Sequence, residues 1–136
     1  MPANTTPIWG LTPVSVVGQF TTGANTAKDG SGTVQTLYTA GSNGGYCSHI
    51  TVRAYATNSA SVMRVFINNG STNATATNNT LYGELSLAAT TTVETAALAD
   101  YRFIFPDGFA IPSGYKINVT FGTAGSWAPT CIARDY

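Results

Sequence analysis

Two alternating runs within residues 46–68 constrain this chain more than anything else in it. In the first, Ile50, Val52 and Ala54 alternate with His49, Thr51, Arg53 and Tyr55; in the second, Met63, Val65 and Ile67 alternate with Val62, Arg64 and Phe66. A period of two is the mark of a strand with one buried face. Between the runs lies Thr57-Asn58-Ser59-Ala60, a polar stretch of hairpin-loop length. Folding the second run back on the first places Ile50 beside Ile67, Val52 beside Val65 and Ala54 beside Met63. A slip of one residue would turn that whole set into water. The spacing therefore predicts a central β-hairpin with one apolar face.

The rest of the chain repeats the pattern. Residues 14–22, 33–40, 81–87, 101–105, 115–121 and 127–133 read as further strands. Over 81–87 the pattern points Leu81, Leu85 and Leu87 inward and Tyr82, Glu84 and Ser86 outward. Gly41-Ser42-Asn43-Gly44-Gly45 is a turn signal, Pro106-Asp107-Gly108 should end the strand before it, and Pro112-Ser113-Gly114 is another turn. Residues 69–79 carry no large apolar side chain and read as a solvated, mobile loop. Residues 88–99 are open between a short helix and extended chain. Pro2, Pro7 and Pro13 interrupt the start, so neither a helix nor a central strand runs through it. The expected plan is all-β: an antiparallel β-sandwich or jelly roll of about eight strands over residues 14–136, preceded by an extended N-terminal arm, residues 1–13. No repeat period suggests a propeller or solenoid.

Composition narrows the function. Charged residues make up 9% of the 136, against a usual value of about 25%. Six basic and six acidic residues cancel. A weakly charged surface without net repulsion tends to associate, and it carries no basic footprint for nucleic acid. No apolar run approaches the roughly 20 residues of a membrane span. Met1-Pro2-Ala3-Asn4 lacks the basic start and apolar core of a signal peptide, so a cytoplasmic site of synthesis is expected.

Chemistry-bearing motifs are scarce. His49 is the single histidine and reads as a surface residue near Asn68. Asp29, Glu84, Glu94, Asp100, Asp107 and Asp135 show no spacing that picks a glycosidase pair. No nucleophile elbow or phosphate-binding glycine loop is present. Cys47 and Cys131, with one histidine, cannot form a four-ligand zinc site. In a cytoplasm they are expected as buried thiols, with a disulfide as the alternative. No catalytic residue and no cofactor is expected.

Two contact elements stand out. On the outer face of the expected hairpin, Arg53 falls opposite Arg64, a repulsive pair. Glu84 on the next strand is the candidate counter-charge, and Tyr55 and Phe66 lie beside the arginines. Either the two arginines splay into solvent, or the face is an amphipathic contact with Phe66 and Tyr55 as anchors. The arm carries Ile8, Trp9 and Leu11, which pack either on their own domain or on a neighbour.

The runs Thr36-Leu-Tyr-Thr-Ala-Gly-Ser-Asn-Gly-Gly, Ile50-Thr-Val-Arg-Ala, Arg64-Val-Phe-Ile-Asn-Asn-Gly and Leu81-Tyr-Gly-Glu-Leu-Ser-Leu, with Phe105-Pro-Asp-Gly-Phe and Ile111-Pro-Ser-Gly-Tyr, resemble small structural proteins of tailed bacteriophages. The likeness is in particular to capsid decoration, or cement, proteins with a β-sandwich or jelly-roll fold, and it covers about residues 33–121. It implies a non-enzymatic protein of the virion surface, assembled in the host cytoplasm. The implied partners are the major capsid protein and copies of itself, as a trimer or else a dimer, with no membrane or nucleic-acid contact. The alternative is a tail- or fibre-associated, carbohydrate-binding adhesin, which would need Tyr38, Tyr46, Tyr101 and Trp127 to converge on an exposed surface.

Overall fold

The computed structural model describes residues 12–16 and 20–136. They form two antiparallel sheets, with no α-helix among the described residues. The strands are β1 (Thr12–Val16), β2 (Phe20–Thr22), β3 (Gln35–Thr39), β4 (Gly45–Ala54), β5 (Ser61–Asn68), β6 (Asn79–Leu87), β7 (Asp100–Ile111), β8 (Lys116–Phe121) and β9 (Gly125–Asp135). The first sheet has the order β1-β9-β4-β7, with β2 also pairing β9; the second has the order β3-β8-β5-β6. Thr12 and Pro13, placed in the arm by the sequence pattern, already belong to β1. There Pro13 sits on an edge strand, where a missing donor is tolerated. Pro129 falls between the stretches of β9 that pair with β1 and with β2, so its lack of an N–H breaks neither ladder.

The expected hairpin of residues 46–68 does not form. β4 lies between β9 and β7 in the first sheet, and β5 lies between β8 and β6 in the second. The apolar faces are nonetheless as expected: Ile50, Val52 and Ala54 of β4 and Met63 and Val65 of β5 are buried in one shared core. They meet across that core instead of side by side. Alternation reports which side of a strand is buried, and that is the same for a paired neighbour and for a strand facing it from the opposite sheet. Arg53 and Arg64 are therefore not opposite one another. Each has its own acid: Arg53 Nε is 3.3 Å from Asp100 Oδ1, and Arg64 Nε is 2.8 Å from Glu84 Oε1, the counter-charge expected for it.

Three further local expectations are corrected. Pro106-Asp107-Gly108 does not end a strand. β7 continues to Ile111, and residues 105–108 form a wide bulge opposite Ser48, between the pairs Cys47↔Phe109 and His49↔Ile104. Leu81 does not point inward. A bulge between Val65 and Phe66 leaves Tyr82 unpaired, which shifts the alternation: Tyr82 turns toward Phe103, Phe105 and Phe109, and Leu81 is 39% exposed. The polar loop between β5 and β6 is tied down. Asn73 Nδ2 donates to Thr36 Oγ1 at 2.8 Å, and Lys116 Nζ donates to the Ser71 carbonyl at 3.0 Å. Residues 88–99 contain no helix.

That tied loop gives the second sheet a covered outer face. It meets the loop between β2 and β3 where Asn79 Nδ2 donates to the Gly30 carbonyl at 3.3 Å, and Arg64 Nη1 donates to the Asn25 carbonyl at 3.1 Å. Beneath the two loops Phe66, Asn68, Asn118 and Thr120 are buried. The amides are satisfied there as burial requires: Asn68 Nδ2 bonds Asn79 Oδ1, and Asn118 Oδ1 accepts from Thr36 Oγ1.

Candidate contact face

The first sheet has no such cover over its outer face among the described residues. β7, β4 and β9 lie side by side there, and their pairings set outward side chains in rows. One row is Ile104, His49 and Ile132, with the isoleucines 63% and 37% exposed. Next to it lies Arg102, Thr51 and Thr130, then Asp100, Arg53 and Ala128. Beyond the Ser48 bulge is Ala110, Tyr46 and Arg134. The reason is local. In Tyr101-Arg102-Phe103-Ile104-Phe105 the aromatics take the inward phase, which forces Ile104 out with Arg102. In Cys131-Ile132-Ala133-Arg134 the small residues face the core, which forces Ile132 out with Arg134.

The chemistry of this face is association. Two isoleucines offer apolar area at its middle. Among the described side chains of these rows, Arg53, Arg102 and Arg134 stand against one acid, Asp100, an excess of two positive charges within the rows, on a chain whose total is zero. Ser48 Oγ and His49 Nδ1 lie 2.7 Å apart, a hydrogen bond that orients the ring within the row. His49 thus neighbours Ile104 and Ile132, and the Asn68 expected beside it lies in the other sheet. Among the described residues no three His, Cys, Asp or Glu side chains are grouped closely enough to hold a metal ion, and no helix is long and apolar enough to cross a membrane.

The residues singled out from the sequence separate. Arg53 is exposed on this face, and Tyr55 follows at the end of β4, its N–H bonded to the Ser126 carbonyl at 3.2 Å. Arg64 and Phe66 are buried beneath the loops of the other sheet and do not belong to a surface shared with Arg53. Ile8, Trp9 and Leu11 lie outside the described residues. Of the aromatics that a sugar platform would need, Tyr38 and Trp127 are buried, Trp127 stacked on Phe121 with ring centres 6.3 Å apart. Ile104 and Ile132 were the residues missed. Their signal was in the sequence: an isoleucine in phase with an arginine on a strand whose other phase is filled. Comparison of the chain with protein-family models, with curated proteins and with solved structures finds no match.

Proposed function

We propose that this protein is a non-enzymatic structural subunit that clamps a protein lattice through the outer face of its first sheet, as a capsid decoration protein of a tailed bacteriophage does. The observation that carries the reading is the asymmetry between the two outer faces. Among the described residues, one is roofed by hydrogen-bonded loops; the other leaves Ile104, Ile132 and the arginines Arg53, Arg102 and Arg134 open to solvent. The fold proposed with it is a jelly-roll β-sandwich of eight strands. If β1 and β2 count as one interrupted strand along β9, the sheet orders become 1-8-3-6 and 2-7-4-5. The pairs 1-8, 2-7, 3-6 and 4-5 are those of one long hairpin, doubled back at the β5–β6 loop and wrapped into two layers. That order supports a double Greek key.

In this reading the major capsid protein is the partner, and the site of action is the outer surface of the virion. The subunits associate as a trimer over a three-fold junction, or else as a dimer. A patch with two isoleucines is weak alone, and many copies on one lattice make the sum strong. The arm with Ile8, Trp9 and Leu11 is the second clamp. Co-sedimentation with expanded capsid shells lacking the protein tests both. Wild type should bind; Ile104→Asp, which changes an exposed side chain, should leave the unfolding midpoint unmoved and lower binding at least tenfold. Deleting residues 1–11 should keep the fold and weaken binding. Failure of the wild type to bind such shells, or binding unaffected by Ile104→Asp, overturns the proposal.

A further inference from the structure

Cys47 belongs to β4 and Cys131 to β9, the two central strands of the first sheet. Both are fully buried, and both are free thiols. Their sulfurs lie 2.9 Å apart. The register alone would not bring them together: Cys47 lies opposite Ala133, and Cys131 lies opposite Ile50. Two such diagonal side chains are ordinarily about 7 to 8 Å apart. Ser48 is the extra residue between those two pairs. A bulge adds twist to a sheet, and added twist closes one diagonal.

We propose that Cys47 and Cys131 form a redox latch, a disulfide that closes inside the folded protein when it meets a low-molecular-weight disulfide such as oxidised glutathione. An S–S bond is about 2.05 Å long, so closure asks the sulfurs to approach by about 0.9 Å. The residues joined are 84 apart in the chain. In the first step one cysteine thiol gives up its proton, its sulfur attacks the small disulfide, and the S–S bond of that reagent breaks. One thiolate leaves and takes a proton. In the second step the other cysteine loses its proton and attacks the protein sulfur of the mixed disulfide, and the second thiolate leaves and is protonated. Two electrons pass from the cysteines to the reagent, and two small thiols are released.

Burial sets the rate. The thiolate is the attacking species. The hydrogen bond to Cys47, followed by desolvation, holds the Cys131 thiol well above the ordinary range. The latch therefore closes slowly, through brief opening of the sheet, and once closed it is equally sheltered from reductant. Under the proposed function it stays open during assembly in a reducing cytoplasm and sets after release. The chemistry holds whatever the protein binds.

The test uses the whole reduced protein, natively folded, incubated with oxidised glutathione. Expected are a mass lower by two hydrogens with no glutathione adduct, a linked peptide containing residues 47 and 131, and a thermal midpoint higher by about 10 °C that reductant reverses. Cys131→Ala should show no rise. Two thiols that stay free, accumulation of the glutathione adduct alone, or a cross-link that leaves the midpoint unmoved would each overturn the latch. No lattice enters this test, so its failure is distinct from failure of the proposed function.

Discussion

Phe66→Ala separates a covered outer face on the second sheet from a solvated one. Phe66 sits on β5 between Asn118 of β8 and Leu81 of β6, with 0% of its surface exposed. It lies outside the main core, under the loops pinned by Asn73, Asn79 and Asn25. Burying an aromatic ring removes about 150 to 250 Å² from water, worth roughly 4 to 6 kcal/mol at about 25 cal/mol/Å². Phe-to-Ala changes in cores cost about 3 to 5 kcal/mol. The two loops can settle part of the way into the space, so the lower end applies, about 3 kcal/mol. For a urea slope near 2 kcal/mol/M, the midpoint should fall by about 1.5 M. Hydrogen exchange should show the same event locally, with protection lost first at Asn69, whose N–H bonds the Asn78 carbonyl at 3.0 Å. On a solvated face the same change would cost under about 0.5 kcal/mol. A loss below about 1 kcal/mol would therefore refute the covered face and the faces' asymmetry with it.

Three other outcomes follow from the same geometry. Glu84→Gln removes the charge partner of the buried Arg64; because Glu84 itself is half exposed and water can replace it in part, the expected loss is about 1 to 2 kcal/mol by urea unfolding, and no loss would mean that the guanidinium is already solvated. Gly45→Ala builds a methyl group 1.6 Å from the Tyr38 hydroxyl, so it should cost more than about 3 kcal/mol, and Tyr38→Phe in the same chain should recover part of that; strict additivity of the two changes would sink the argument. Stability should fall with rising alkaline pH. Burial, then the hydrogen bond to Asp135 Oδ1 at 2.5 Å, pushes the Tyr38 hydroxyl above its ordinary 10.0. Above that pH the unfolded chain loses the proton first, and the native state holds the extra one, so each pH unit should cost about 1.4 kcal/mol. Cys131, raised from 9.0, adds its own decline from about pH 9, so the Tyr38 share is read as the difference from Tyr38→Phe, whose curve should be flatter above pH 10.

Much of the fold was legible in the residues. The all-β class followed from period-two runs and turn residues, and the inward set Ile50, Val52, Met63, Val65, Ile117, Val119 and Phe121 lies in the observed core. Glu84 was legible as the partner of Arg64, because an arginine held on a strand face needs an acid in reach. The candidate site was less so. The surface shared by Arg53, Tyr55, Arg64 and Phe66 depended on one assumed pairing, and that pairing is replaced by β4 with β7 and β9, whose partners lie about 50 to 90 residues further along the chain.

Alternation, turn chemistry and sparse charge are local properties, and they sufficed to say that this chain makes amphipathic strands with little to repel a neighbour. Which strands pair is decided by contacts between distant segments, because a buried face can be filled equally well from beside or from across. The roof over Phe66, the bulge that turns Tyr82 toward Phe103, Phe105 and Phe109, and the meeting of Cys47 with Cys131 all depend on those distant contacts. Only the assembled sheets could decide which outer face stays open, and so where the protein can hold another.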